Sequence, residues 1–122
     1  MVNPVTWFEI PVRNMEKAKK FYEAILDIEL ARNEMGPMKM AWFPMAQGAP
    51  GAAGSLVQAE KYTPSHAGTL VYLHVNDIDD ILARVKVHGG KVLLPKTGIG
   101  EYGFIAHFED TEGNRVALHA NG

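Results

Sequence analysis

Glu9 and His119 are the side chains of this sequence best able to carry a proton or hold a cation, with His74 and His107 as weaker candidates. Each lies in a run rich in apolar or β-branched residues, and carboxylate and imidazole are the groups that do such work near neutral pH. A strand histidine such as His107 is either a cleft group or one that faces solvent, hydrogen-bonded in place. His66 and His88 lie outside such runs and read as structural, His88 at a helix end where a partly charged imidazole suits the dipole. There is no cysteine, which removes disulfides, thiol nucleophiles and thiolate zinc sites together. Gly98-Ile-Gly100 lacks the strand before and helix after that would aim N–H groups at a phosphate.

The elements that must position these groups occur twice. Ile10-Pro-Val-Arg-Asn-Met, running on to Leu30, reads as strand, turn, helix, strand; Leu73-His-Val-Asn-Asp-Ile, running on to Leu93, reads the same way. Two copies are too few for a solenoid. They predict a pseudo-twofold pair of modules facing each other across a cleft.

In the first module, a strand is expected over Val5–Val12, then a helix over Met15–Leu26 capped by Asn14. Strands follow at Ile28–Arg32, Met38–Pro44 and Gly54–Gln58. In the second, Thr69–Val75 is a strand, and Asp77 caps a helix over Ile78–His88 that Gly89 and Gly90 stop. Lys91–Pro95, Gly103–Glu109 and Asn114–Ala120 complete it. Met45–Ala53 and Thr97–Gly103, each bearing glycines, are expected as equivalent rims of the cleft. The fold class is α+β: two tandem βαβββ modules with curled mixed sheets, about residues 4–59 and 69–121, joined by a linker at 60–68 within one domain spanning 1–122.

Composition bounds the function. The chain has 122 residues, 47% hydrophobic and 21% charged, with a net charge of −2. This is ordinary globular composition, with no basic footprint for nucleic acid. No apolar run approaches the roughly 20 residues of a membrane helix, and no signal pattern opens the chain. A cytoplasmic protein with no membrane partner is expected. Met35, Met38, Met40 and Met45 cluster near Trp42 and offer apolar surface suited to a homodimer.

Phe8-Glu-Ile-Pro-Val-Arg-Asn-Met-Glu-Lys-Ala-Lys-Lys-Phe-Tyr resembles the opening strand and helix of the glyoxalase, bleomycin-resistance and extradiol dioxygenase superfamily, the vicinal oxygen chelate proteins. Phe108-Glu-Asp-Thr-Glu-Gly-Asn-Arg-Val-Ala-Leu resembles the strand, turn and strand that close its domains, with Thr111 where proline is common. The resemblance covers essentially the whole chain. It implies the fold above, and a cleft that serves lyases, isomerases, dioxygenases and non-catalytic drug binders alike. It also implies metal positions at Trp7, Leu70 and near Leu56 and Ala117. None of these side chains is a metal ligand.

Two residues beyond those positions lie Glu9, Tyr72, Gln58 and His119, with His74 further along. Strand alternation sends them to the cleft face, opposite Phe8, Ile10 and Val12. Trp7, Trp42 and Tyr72 read either as an aromatic wall or as core. The expected ligand-binding set is thus Trp7, Glu9, Trp42, Gln58, Tyr72, His74, His107 and His119. The favoured reading is a metal-independent, cofactor-free binder of small molecules. The alternative is a lyase or isomerase, lactoylglutathione-lyase-like, with Glu9 and His119 holding a displaced divalent metal or Glu9 acting as a metal-free base. No arginine is expected in this ring to replace a cation.

Overall fold

The computed structural model describes residues 3–122. Its elements in chain order are β1 (Trp7–Pro11), α1 (Met15–Leu26), β2 (Ala31–Met35), β3 (Met38–Trp42), β4 (Ala53–Gln58), β5 (Tyr72–His74), α2 (Ile78–Val87), β6 (Lys91–Gly98), β7 (Phe104–Glu109) and β8 (Arg115–Ala120). They form two four-stranded mixed sheets of matching order, β1-β4-β3-β2 and β5-β8-β7-β6. In each, the first and last strands of the module run parallel and the rest antiparallel. This is the α+β, twice-βαβββ architecture expected from the repeat.

The helices start where the caps predict. Asn14 and Asp77 each accept a hydrogen bond from the N–H three residues on, Lys17 and Asp80, which satisfies donors that the first turn leaves free. Several boundaries differ from expectation: β1 and β3 are shorter, β5 is cut from Thr69–Val75 to Tyr72–His74, and α2 ends at Val87. Two further shifts have a plain local cause. β2 begins at Ala31, because Asp27 ends α1 in the left-handed conformation, with φ 54°, and the Leu30 N–H is held by the Glu23 carboxylate at 2.8 Å. β6 runs on to Gly98, past Pro95. It is an edge strand whose pairing with β7 shifts between Val92 and Leu94 and again between Leu94 and Thr97. Bulged edges are where a proline, lacking its N–H, fits a sheet.

One apolar core runs through both modules. Ile10, Val12 and Leu56 from the first sheet join Val116, Leu118 and Phe108 from the second, with Met15, Phe21, Tyr22 and Ile25 of α1 and Ile78, Leu82 and Val85 of α2 between them. Phe21 packs on Phe108 with ring centroids 6.0 Å apart. The helix-covered faces of the two sheets therefore share one interior.

A buried carboxylate ties this interior together. Asp110 is 2% exposed. Its Oδ2 accepts from the Tyr22 hydroxyl at 2.7 Å and from Asn114 Nδ2 at 3.0 Å. Its Oδ1 accepts from the N–H groups of Glu112 and Asn114 at 2.9 Å each. The same turn reaches the entry to α1. Glu112 Oε1 takes the N–H groups of Arg13 and Asn14 at 2.6 and 2.7 Å, and Asn114 Nδ2 donates to the Pro11 carbonyl at 2.7 Å. A carboxylate out of water is costly unless its lone pairs are filled; here four donors fill them.

Burial, then the Asp110 charge and hydrogen bond, push Tyr22 well above the ordinary tyrosine value. The folded chain thus favours the neutral phenol. This contribution is complete below the ordinary value of about 10 and is lost as pH rises through the raised one. Tyr22→Phe is expected to lower stability at neutral pH by about 1–3 kcal/mol in urea unfolding. It should also flatten the fall in stability above about pH 10. An unchanged midpoint and slope would contradict the arrangement.

Candidate functional site

The face of each sheet that the helices leave bare carries the polar side chains. In the first sheet, Trp7 and Glu9 stand beside Ala53 and Ser55 in the parallel register, and Trp42 lies opposite Ser55 in the antiparallel one. In the second, Tyr72 and His74 pair with Ala117 and His119, while His107 and Glu109 lie opposite Ala117 and Arg115. In-register partners project to the same side. Trp7, Glu9, Ser55 and Trp42 thus share one bare face, and Tyr72, His74, His107, Arg115 and His119 share the other.

Gln58 is a correction. Its Oε1 accepts the Met15 N–H at 2.8 Å, so it points to the helix side and supports the start of α1. The error has a physical source. β4 reads Ala53-Gly-Ser-Leu-Val-Gln58, and its four central residues are all buried. A strand buried on both faces shows no alternation to read, and a slip of one residue reverses every side chain. Leu56 is correspondingly in the core, and Ser55 is the bare-face counterpart of Ala117.

The two bare faces do not meet. Among the described residues, no hydrogen bond, ion pair or aromatic contact joins the polar side chains of one face to those of the other. What unites part of each is a groove of about 1170 Å³ between the edge strands β1 and β5. Trp7, Glu9, Tyr72, His74 and Leu70 line it, with Asp77, Asp80 and Arg84 from α2 and Pro44 and Pro50–Ala53 from the loop before β4. Trp42, His107 and His119 are not among its lining residues.

The loops explain why the groove exists. By strand order, the loop before β4 corresponds to the Asp110–Asn114 turn before β8, not to Thr97–Gly103 as expected from glycine content. The Asp110–Asn114 turn plugs the entry to α1. Its counterpart at residues 43–52 instead lines the groove beside the entry to α2. The repeat is broken at this point, and the opening follows.

Glu9 accepts from the Tyr62 hydroxyl at 2.8 Å, on the side away from the groove, which Tyr62 does not line. This bond is the main reason Tyr62 is raised above the ordinary tyrosine value. Trp7 stands edge-on to Trp42, centroids 5.2 Å apart. Behind this pair, the indole N–H of Trp42 and the Ser55 hydroxyl are buried without a hydrogen-bond partner. On the second face, His74 and His119 have ring centroids 6.1 Å apart. His119 Nε2 donates to the Tyr102 carbonyl at 2.6 Å, fastening the loop after β6. Glu9 and His119, the two best proton carriers expected from the sequence, are thus divided between the two faces. Among the described residues, no three His, Asp or Glu side chains converge.

Sequence reasoning missed Arg115. Its Nε donates to His107 Nδ1 at 3.0 Å, and His107 Nε2 lies 3.3 Å from the Tyr72 hydroxyl. An arginine does belong to the bare-face ring. Nothing in the sequence alone places this arginine over His107; the β7–β8 register does.

The model of the Glyoxalase/Bleomycin resistance protein/Dioxygenase superfamily matches residues 5–118. The chain belongs to this superfamily. Solved structures agree in fold. A glyoxylase/bleomycin resistance protein/dioxygenase domain from Frankia sp. EAN1pec is 16% identical, with all of both chains covered and a TM-score of 0.75. A glyoxalase/bleomycin resistance protein from Streptomyces sp. CB03234 is 26% identical, covering 93% of this chain and 97% of that one at a TM-score of 0.67. The E144Q mutant of glyoxalase I from Zea mays is 25% identical, covering 97% of this chain and 47% of that one at 0.72. This chain thus spans about half the length of the maize protein. The search of curated proteins returns no match. No helix among the described residues is long and apolar enough to cross a membrane.

Gln58→Ala is expected to cost about 0.5–1.5 kcal/mol by freeing the Met15 N–H, measured by thermal or urea unfolding. A variant as stable as the parent would place Gln58 elsewhere.

Proposed function

We propose that this member of the superfamily binds a small, partly aromatic organic molecule in the groove between β1 and β5. It does so without a divalent cation or other cofactor, as a cytoplasmic homodimer. The observation that carries the reading is the groove itself. At about 1170 Å³ it is somewhat larger than the usual pocket for a drug-sized ligand, and Trp7, Glu9, Tyr72 and His74, an indole, a carboxylate, a phenol and an imidazole, line one opening. Apolar walls with a few placed polar groups are the usual composition of such sites.

The donor set argues against a metal at the positions the family resemblance implies. These carry Trp7, Leu70, Ala117 and, by the observed register, Ser55. None is an imidazole or carboxylate, and the one lone-pair side chain among them, the Ser55 hydroxyl, is a weak ligand by itself. The homodimer reading draws on exposed apolar side chains, Val5, Met35 and Met45 among them.

A second reading is a lyase or isomerase. It draws on Glu9 and Tyr72 fronting the same groove, a base and an acid without a metal. The resemblance to a maize glyoxalase I makes a lactoylglutathione-lyase-type reaction the first to try.

Elemental analysis of purified protein should find zinc, nickel, manganese and iron far below one atom per chain. A stoichiometric metal that Glu9→Gln strips away would overturn the binding reading, as would lactoylglutathione-lyase turnover that Glu9→Gln abolishes. Sedimentation at micromolar concentration should give a species of twice the 13.4 kDa chain. A 13.4 kDa species alone would refute the dimer.

A further inference from the structure

Arg115, His107 and Tyr72 make a chain of hydrogen bonds that ends in the groove. An arginine Nε–H can only donate. His107 Nδ1, 3.0 Å away, must therefore present a lone pair. A neutral imidazole then carries its proton on Nε2, which faces the Tyr72 oxygen at 3.3 Å. The ring of Tyr72 stands edge-on to His107, at an interplanar angle of 80°. With its oxygen accepting from His107, the Tyr72 hydroxyl proton has no claim on it from behind. Tyr72 is 48% exposed and lines the groove.

We propose that Tyr72 is the subsite for an anionic or strongly polarised oxygen of the ligand, an enolate, phenolate or carboxylate oxygen, and that Arg115 and His107 are the positioning residues that aim its O–H. This rests on the groove reading above and names the ligand class for it. The Arg115 charge stands three hydrogen bonds from the ligand, and Arg84 on the groove wall is paired with Asp80 at 2.9 Å, so this subsite meets an anionic oxygen through a neutral donor. Glu9, fronting the same groove, accepts only. The ligand thus carries an acceptor oxygen toward Tyr72 and an N–H or O–H donor toward Glu9. The distinction from a plain aromatic wall is chemical: a wall tyrosine gains nothing from the ligand's charge.

Other ionisable groups face this chain. On β7, Glu109 lies opposite Arg115 and is held by His66 at 2.8 Å; His119 is two residues beyond Ala117 on β8. Burial, then the Arg115 charge, hold His107 below the ordinary histidine value, which keeps it neutral and its tautomer fixed at working pH.

Two measurements test the proposal. Nitrogen-15 NMR should show His107 neutral, protonated on Nε2, and titrating below a solvent-exposed histidine. Arg115→Met, which keeps the aliphatic stem, should raise that titration and mix the tautomers. Binding of 4-nitrophenolate should be tighter than that of nitrobenzene. Tyr72→Phe should erase roughly tenfold or more of the phenolate affinity and leave nitrobenzene unchanged, with Arg115→Met in between. Equal weakening of both probes by Tyr72→Phe would make the tyrosine a wall and overturn the proposal. A proton on His107 Nδ1, or no response to Arg115→Met, would overturn it equally. If neither probe binds the parent protein, the groove reading falls, and the tautomer alone decides the relay.

Discussion

Everything in this molecule depends on a carboxylate that has been taken out of water. Asp110 belongs to the last turn of the chain, yet two of its donors fix elements far from it: Tyr22 of α1 directly, and Asn114, which also holds the end of β1. Breaking the network would leave a charge in the core, at a cost of several kcal/mol. Hydrophobic contact alone, which is non-directional, could bring α1, α2 and the two sheets together in several ways. The geometry of four donors on one carboxylate selects one of them.

That selection has a chemical result at the opposite edge. With the helix-side interior shared and one loop plugging the α1 entry, the matching loop is left beside an open groove. The groove borrows its polar groups from two sheets whose bare faces otherwise do not touch. The charge distribution is divided as well. The carboxylate of Glu9 fronts the groove, whereas the guanidinium of Arg115 is withdrawn behind His107 and Tyr72. An exposed arginine would bind anions without discrimination. A neutral phenol backed by one demands shape and a directed lone pair.

How much of this was legible beforehand follows from what each residue's signal depends on. Asn14 and Asp77 read correctly as caps, because capping is local and their apolar periodicities are clear. Trp7 and Glu9 read correctly because Phe8, Ile10 and Val12 mark the other face of an alternating strand. Gln58 did not, because β4 is buried on both sides and gives no phase. Arg115 was missed for a related reason: turns and strand ends favour solvated charge, and only the β7–β8 register shows it folded back over His107. The groove could not be read at all. It arises from a difference between two loops that the repeat made look equivalent, and the expected pairing of Met45–Ala53 with Thr97–Gly103 followed glycine content instead of strand order.

The Asp110 turn also has a consequence in time. Its bonds to Tyr22, Asn14, Arg13 and Pro11 span 88, 98, 99 and 103 residues. Contacts of such separation carry a large loop-closure cost that must be met before they contribute. During synthesis the first module would emerge with the N–H groups before α1 unfilled and one face of its helix unpacked. It has no route to its final form until the segment around Asp110 has been made. Two halves that look like independent copies are thus joined in a single cooperative event.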